Sequence, residues 1–249
     1  MLQRLSTERR KSLVHWTLEL VVVFAGVLIA LWTQQWADAR TAKARGVQAE
    51  GRIREELRNN TRAWLERAAI HTCLKKRLAR LAEGLSSGRA NWSEFTLPDR
   101  DDGRMSLRRI YSVPSRPWLS AAYEGALATG DLATIAPDKQ LRLAAGYAQV
   151  KKSGELNASE LQLAAQLAPL QFNGPLTMTE RNEKLAVVAR LDWINGTFAR
   201  IAEQEFKNMR DLGYRWNTQE VAQMRDDLEE MRKVYGDCRD SSAVAAFRP

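Results

Sequence analysis

The chain has 249 residues, is 27% charged and 45% apolar, and carries a formal charge of +8. These fractions are those of an ordinary folded protein and exclude a largely disordered chain. The charge does not make a nucleic-acid surface, because Lys and Arg are dispersed among 30 acids with no aromatic-interleaved basic stripe or finger motif.

Residues 1–12 form a short basic tail with Arg4, Arg9, Arg10 and Lys11. Residues 13–36, LVHWTLELVVVFAGVLIALWTQQW, read as a transmembrane helix. The uninterrupted apolar run, Leu20 to Trp32, is short for a span, but Leu13, Val14, Trp16, Leu18 and Trp36 extend it. As a helix the segment covers about 36 Å, enough to cross a bilayer with some tilt. Trp16, Trp32 and Trp36 are placed as interfacial anchors. The rival reading is a cleaved signal peptide: the tail is a good n-region and Ala37-Asp38-Ala39 is an A-x-A pattern. Trp36, two glutamines and a helical pattern that continues through the site favour an anchor. The positive-inside count is four Lys/Arg before the span and five over residues 37–56, so it does not set orientation. The short tail and the cysteine pair favour tail inside and domain outside, which places the protein in a bacterial inner membrane with a periplasmic C-terminal domain. The cationic run Arg40, Lys43, Arg45, Arg52 and Arg54 follows the span and suits lipid phosphates.

Glu19, Gly26, Ala30 and Thr33, with Ala37, fall on one helical face. Gly26-x-x-x-Ala30 is a small-xxx-small pair that allows close helix approach, and a carboxylate on the same stripe points to protein or water rather than lipid. Three roles are open to Glu19: snorkelling to the interface, bonding a partner helix in its protonated form, or a proton pathway. The expectation is that this face drives association, with a second copy or with another membrane protein.

The pattern Glu19-Leu20-x-Val22-Val23-x-x-Gly26-Val27-Leu28-Ile29-Ala30-Leu31, followed by Trp36, resembles the span of a bacterial single-pass membrane protein family of unknown function. Ile53, Glu56, Leu57 and Asn60 resemble that family's juxtamembrane helix, so the likeness covers about residues 13–60. Gln34-Gln35 stand where the family usually has Asn-Asn, and the charged residue soon after is Asp38. The resemblance implies a bitopic bacterial membrane protein and no activity.

Residues 37–85 continue as a stalk helix with an apolar stripe of Val47, Ile53, Leu57, Trp64, Leu74, Leu78, Leu81 and Leu85, which needs a partner from this chain or a neighbour. Ser86-Ser87-Gly88 ends it. Residues 86–117 are a loop-rich connection with Pro98, Pro114 and Pro117, and short extended pieces fit at 92–97 and 105–113. Residues 118–238 read as a helical bundle. Its helices run from Trp118 to about Thr129, from Pro137 to about Lys152 with an interruption at Ser153-Gly154, and on to Leu167. After the break at Asn173-Gly174-Pro175, the capping box Thr177-x-x-Glu180 opens a long helix that Gly213 closes, and Thr218 to Tyr235 is the last. Residues 239–249 are a C-terminal tail. The fold class expected is all-α: a transmembrane helix, a long stalk helix and an antiparallel bundle.

The two cysteines, Cys73 and Cys238, fit a disulfide in an exported domain; two buried thiols are the alternative. If bonded, they staple the C-terminus to the stalk, a closure worth about 5 kcal/mol. The histidines, His15 and His71, form no metal pair, and no Walker A, G-x-G-x-x-G, H-E-x-x-H, C-x-x-C or G-x-S-x-G pattern occurs. No enzyme, cofactor or metal site is expected. The expected function is an interaction or scaffold component working through span and stalk. A ligand-sensing bundle signalling through a partner is the alternative, and a pocket near Trp118, Tyr123 and Tyr147 would favour it. An exported soluble protein with a cleaved leader is the third reading.

Overall fold

The computed structural model describes residues 2–88, 91–92, 110–111 and 113–235, with side chains described between residues 16 and 231. No proline occurs before Pro98, so nothing in the first 97 residues removes a helical N–H. Accordingly one helix, α1, runs unbroken over Leu2–Ser86, a length of about 128 Å. It stops where Ser87 Oγ donates back to the Gly84 carbonyl at 2.8 Å and Gly88 takes φ +67°, a left-handed turn that glycine adopts without strain.

Among the described residues, four further helices pack along the second half of α1: α2 (Ala121–Ala128), α3 (Pro137–Gln166), α4 (Met178–Asp211) and α5 (Thr218–Tyr235). Single 3₁₀ turns at Asp131–Thr134 and Ala168–Gln171 join α2 to α3 and close α3. A two-residue antiparallel ladder pairs β1 (Asn91–Trp92) with β2 (Gly174–Pro175). Contacts with α1 set the direction of each helix. Leu119 meets Asn60 and Thr134 meets Gly46, so α2 and its turn descend toward the apolar end of α1. Lys139 meets Glu50 and Glu160 meets Arg67, so α3 climbs. Arg181 meets Leu85 and Asn195 meets His71, so α4 descends. Arg58 meets Glu220 and Arg62 meets Asp227, so α5 climbs. The fold is all-α and antiparallel, as expected.

The 37–85 segment is not a separate stalk. From Ala49 to Leu85 the apolar stripe is the buried centre of the bundle, with Ile53, Trp64, Ile70 and Leu81 at zero exposure. Only Val47 of the stripe stays out, at 66%. The partner that the stripe needs is this chain's own α2–α5, with α4 the principal one. Gly46 is where the 3₁₀ turn crosses α1: a Cβ there would overlap Thr134 Oγ1.

Local chemistry explains the other boundaries. Thr177 Oγ1 accepts from Glu180 N at 3.2 Å while Glu180 Oε2 accepts from Thr177 N at 2.8 Å, the reciprocal bonds of a capping box. Gly213 at φ +76° ends α4. Asn217 and Glu220 form a second such box before α5 that the sequence reading did not single out. The interruption expected at Ser153-Gly154 is absent; α3 is one 30-residue helix. Ser153 is buried there and its Oγ accepts from Trp64 Nε1 at 3.0 Å, so packing on α1 offsets the weak local propensity. Helix α2 begins at Ala121 rather than Trp118, because the Asn60 side chain on α1 takes up the Leu119 N–H and carbonyl. The expected extended piece at 92–97 is described only at Trp92, and of 105–113 only 110, 111 and 113 are described.

Candidate membrane span and association face

The apolar half of α1 is long and apolar enough to cross a membrane, with a mean hydropathy of 2.0 over its best 18-residue window. None of that window is buried in the fold, so this stretch of α1 lies outside the bundle core; an N-terminal signal sequence has the same character. Trp16, Trp32 and Trp36 are exposed at 70%, 68% and 58%. The Arg40 guanidinium folds back over the Trp36 ring at 5.5 Å, a cation–π contact at the end of the apolar segment.

Glu19, Gly26, Ala30 and Thr33 are all exposed, and a Cβ on Gly26 would meet nothing within 4 Å. Thr33 Oγ1 donates to the Ile29 carbonyl at 2.7 Å and to Ala30 at 2.9 Å, so its hydroxyl is satisfied within the helix and presents a methyl outward. The face continues past the apolar segment. Ala30, Ala37, Ala44 and Gly51 recur every seven residues, all exposed, and Gly51 also has open space at its Cβ. Bundle helices cover the other side of α1 and leave this one bare.

Glu56 and Asn60 of the family-like pattern acquire a structural role. Both are buried. Asn60 Nδ2 donates to the Leu119 carbonyl at 2.7 Å and its Oδ1 accepts from Leu119 N at 2.9 Å. Glu56 accepts from Ala122 N at 2.8 Å, Tyr123 N at 3.3 Å and Tyr147 Oη at 2.6 Å. Ser120, at the N-cap of α2, makes no capping bond of its own, so a carboxylate from 66 residues away satisfies those helix N–H groups. Burial, and then the bond to Glu56, push the Tyr147 hydroxyl well above the usual tyrosine range.

A second buried polar group lies one level further from the apolar end. Arg67 Nη2 and Tyr111 Oη both donate to Glu160 Oε1 at 2.7 Å, and Arg67 lies over the Phe198 ring at 4.1 Å. Arg67 Nε and Nη1 and Glu160 Oε2 have no partner among the described residues. Trp118, Tyr123 and Tyr147, where a pocket would have favoured the ligand-sensing reading, are packed against neighbouring rings. Trp118 sits between Trp64 and Phe198 at 5.5 and 6.0 Å, and Tyr123 stacks on Tyr147 at 4.1 Å. Among the described residues, an open groove of about 530 Å³ lies between α1 and α4, lined by His71, Lys75, Asp192, Trp193 and Arg200 among others.

Cys73 is disulfide-bonded; the chain's other cysteine, Cys238, lies outside the described residues. Among the described residues no cluster of three His, Cys, Asp or Glu side chains is arranged to hold a metal. No family model, curated protein or solved structure matches this chain, so the geometry of α1 is what bears on function.

Proposed function

We propose that this chain is a bitopic membrane protein acting as an interaction or scaffold component. The span holds the bundle at the membrane, and the bare face of α1 associates with a second copy or with another membrane helix. The observation that carries the reading is the continuity of α1. One helix is both apolar segment and bundle core, so any contact that orients the span also orients the bundle. The small residues Gly26, Ala30, Ala37, Ala44 and Gly51 permit close approach of a second helix along about 38 Å. A seven-residue repeat of this kind suits left-handed winding of two such helices. Glu19 on the same face would bond across the contact.

The disulfide at Cys73 supports a bacterial inner-membrane location with the bundle in the oxidising periplasm. In-membrane cross-linking tests the association. Wild type should give a cross-linked species that Gly26→Ile and Glu19→Leu diminish; an unchanged pattern rejects the face. The open groove beside His71 and Trp193 favours the alternative, a ligand-sensing bundle that signals through a partner. The third reading, a cleaved leader, is favoured by the start of the packed core at Gly46, which would survive cleavage after Ala39. A mature N-terminus at Arg40, found by intact mass, would replace the anchor with an exported soluble protein.

A further inference from the structure

We infer that the end of the bundle nearest the span docks on the lipid surface, with the α2–α3 connection as its contact point. This rests on the anchored reading above and goes beyond it, because a bundle on a spanning helix could equally stand clear of the bilayer. Thr134 crosses α1 at Gly46, and Arg45 pairs with Asp131 at 3.5 Å. The connection is therefore level with a point ten residues beyond Trp36, about 15 Å along the helix. Spans tilt by about 20° on average and up to 40°. The connection lies about 8–10 Å to the side of the α1 axis. A tilt of about 30° toward that side brings it within about 10 Å of the Trp36 level, at the headgroup layer.

The surface presented there suits that environment. Leu127 and Leu141 are exposed at 59% and 74%, Leu141 being more exposed than any other large apolar side chain described. Ala128, Ala133, Ala136 and Pro137 between them are also exposed. The three segments that form this end, 37–50, 127–142 and 207–217, hold eight Lys/Arg against five Asp/Glu, which complements an anionic headgroup layer. The far end also exposes Phe172 and Met178, yet it lies some fifty residues of α1 away from the span, about 75 Å along the helix, and has no lipid within reach.

The test uses the full chain reconstituted in phosphatidylcholine vesicles with and without phosphatidylglycerol. A polarity-sensitive fluorophore is placed, without reductant, on Leu127→Cys, Leu141→Cys or Phe172→Cys, all exposed positions. Docking predicts blue-shifted emission and quenching by nitroxide-headgroup lipid at 127 and 141, greater with phosphatidylglycerol, and water-like emission at 172. Water-like, unquenched emission at all three positions in a chain that resists alkaline carbonate extraction overturns docking and leaves the anchor standing. Release of the chain by carbonate overturns the anchor and docking with it.

Discussion

Glu56→Ala should unseat α2 from α1. The carboxylate satisfies three donors, two at the N-terminus of α2 and the buried Tyr147 hydroxyl. Losing a helix N-cap costs about 1 kcal/mol, and leaving a buried hydroxyl unsatisfied adds about 1–3 kcal/mol. The sum is about 3 kcal/mol, a fall in Tm of about 6–12 °C for a domain of this size. Glu56→Gln keeps one acceptor oxygen and should lose about half as much. Tyr147→Phe removes the phenol that Glu56→Ala strands, so the double variant should fall short of the sum of the singles. Thermal unfolding of the full chain in mild detergent, followed by near-ultraviolet circular dichroism, reads all four proteins. An unaltered Tm for Glu56→Ala, or strict additivity with Tyr147→Phe, would refute the assignment of Glu56 as the cap of α2.

Removing either partner of the buried Arg67–Glu160 pair should cost about 3–5 kcal/mol by stranding a charge, whereas Arg67→Met with Glu160→Leu should recover most of it; chemical denaturation of the three variants measures this. Burial raises the Glu205 carboxyl above its usual range, against the Asn208 hydrogen bond that lowers it. A carboxyl with a raised folded-state pKa binds its proton more tightly in the folded protein, so stability falls as pH rises from its ordinary value near 4.5 through the raised one. Glu205→Gln should therefore flatten the Tm profile in that window, and an unchanged profile would count against the burial argument. Burial also pushes the hydroxyls of Tyr111 and Tyr147 up, and that of Tyr214 to about 12. Their stabilisation is complete below pH 10 and lost above it as the unfolded tyrosines ionise first, so Tyr147→Phe should make the alkaline limb of the Tm profile shallower. Gly46→Ala should shift the 3₁₀ turn off α1, and a Tm equal to wild type would show that Thr134 can give way.

The local elements were legible because their causes are local. Pro137 opening α3, the Thr177–Glu180 box and Gly213 ending α4 each depend on neighbours within a turn or two. The apolar segment of α1 and its Glu19–Gly26–Ala30 face were legible for the same reason: composition and spacing along one helix suffice. Whether the 37–85 stripe faced solvent, a neighbour or this chain was not legible, because its cover comes from α2–α5, up to 180 residues away. The interruption expected at Ser153 was removed by Trp64, 89 residues distant. Glu56 and Asn60 stood out only as parts of a family-like pattern, and their work as clamp and cap becomes visible once residues 119–123 lie against them. Nothing local marks Arg67 and Glu160 as buried, since a lone charged residue on a helix is usually solvated. Short-range periodicity and capping chemistry thus specify which segments are helical and which of them is apolar enough to leave water. Long-range packing specifies which faces are consumed in the core, and so which face of α1 is left bare.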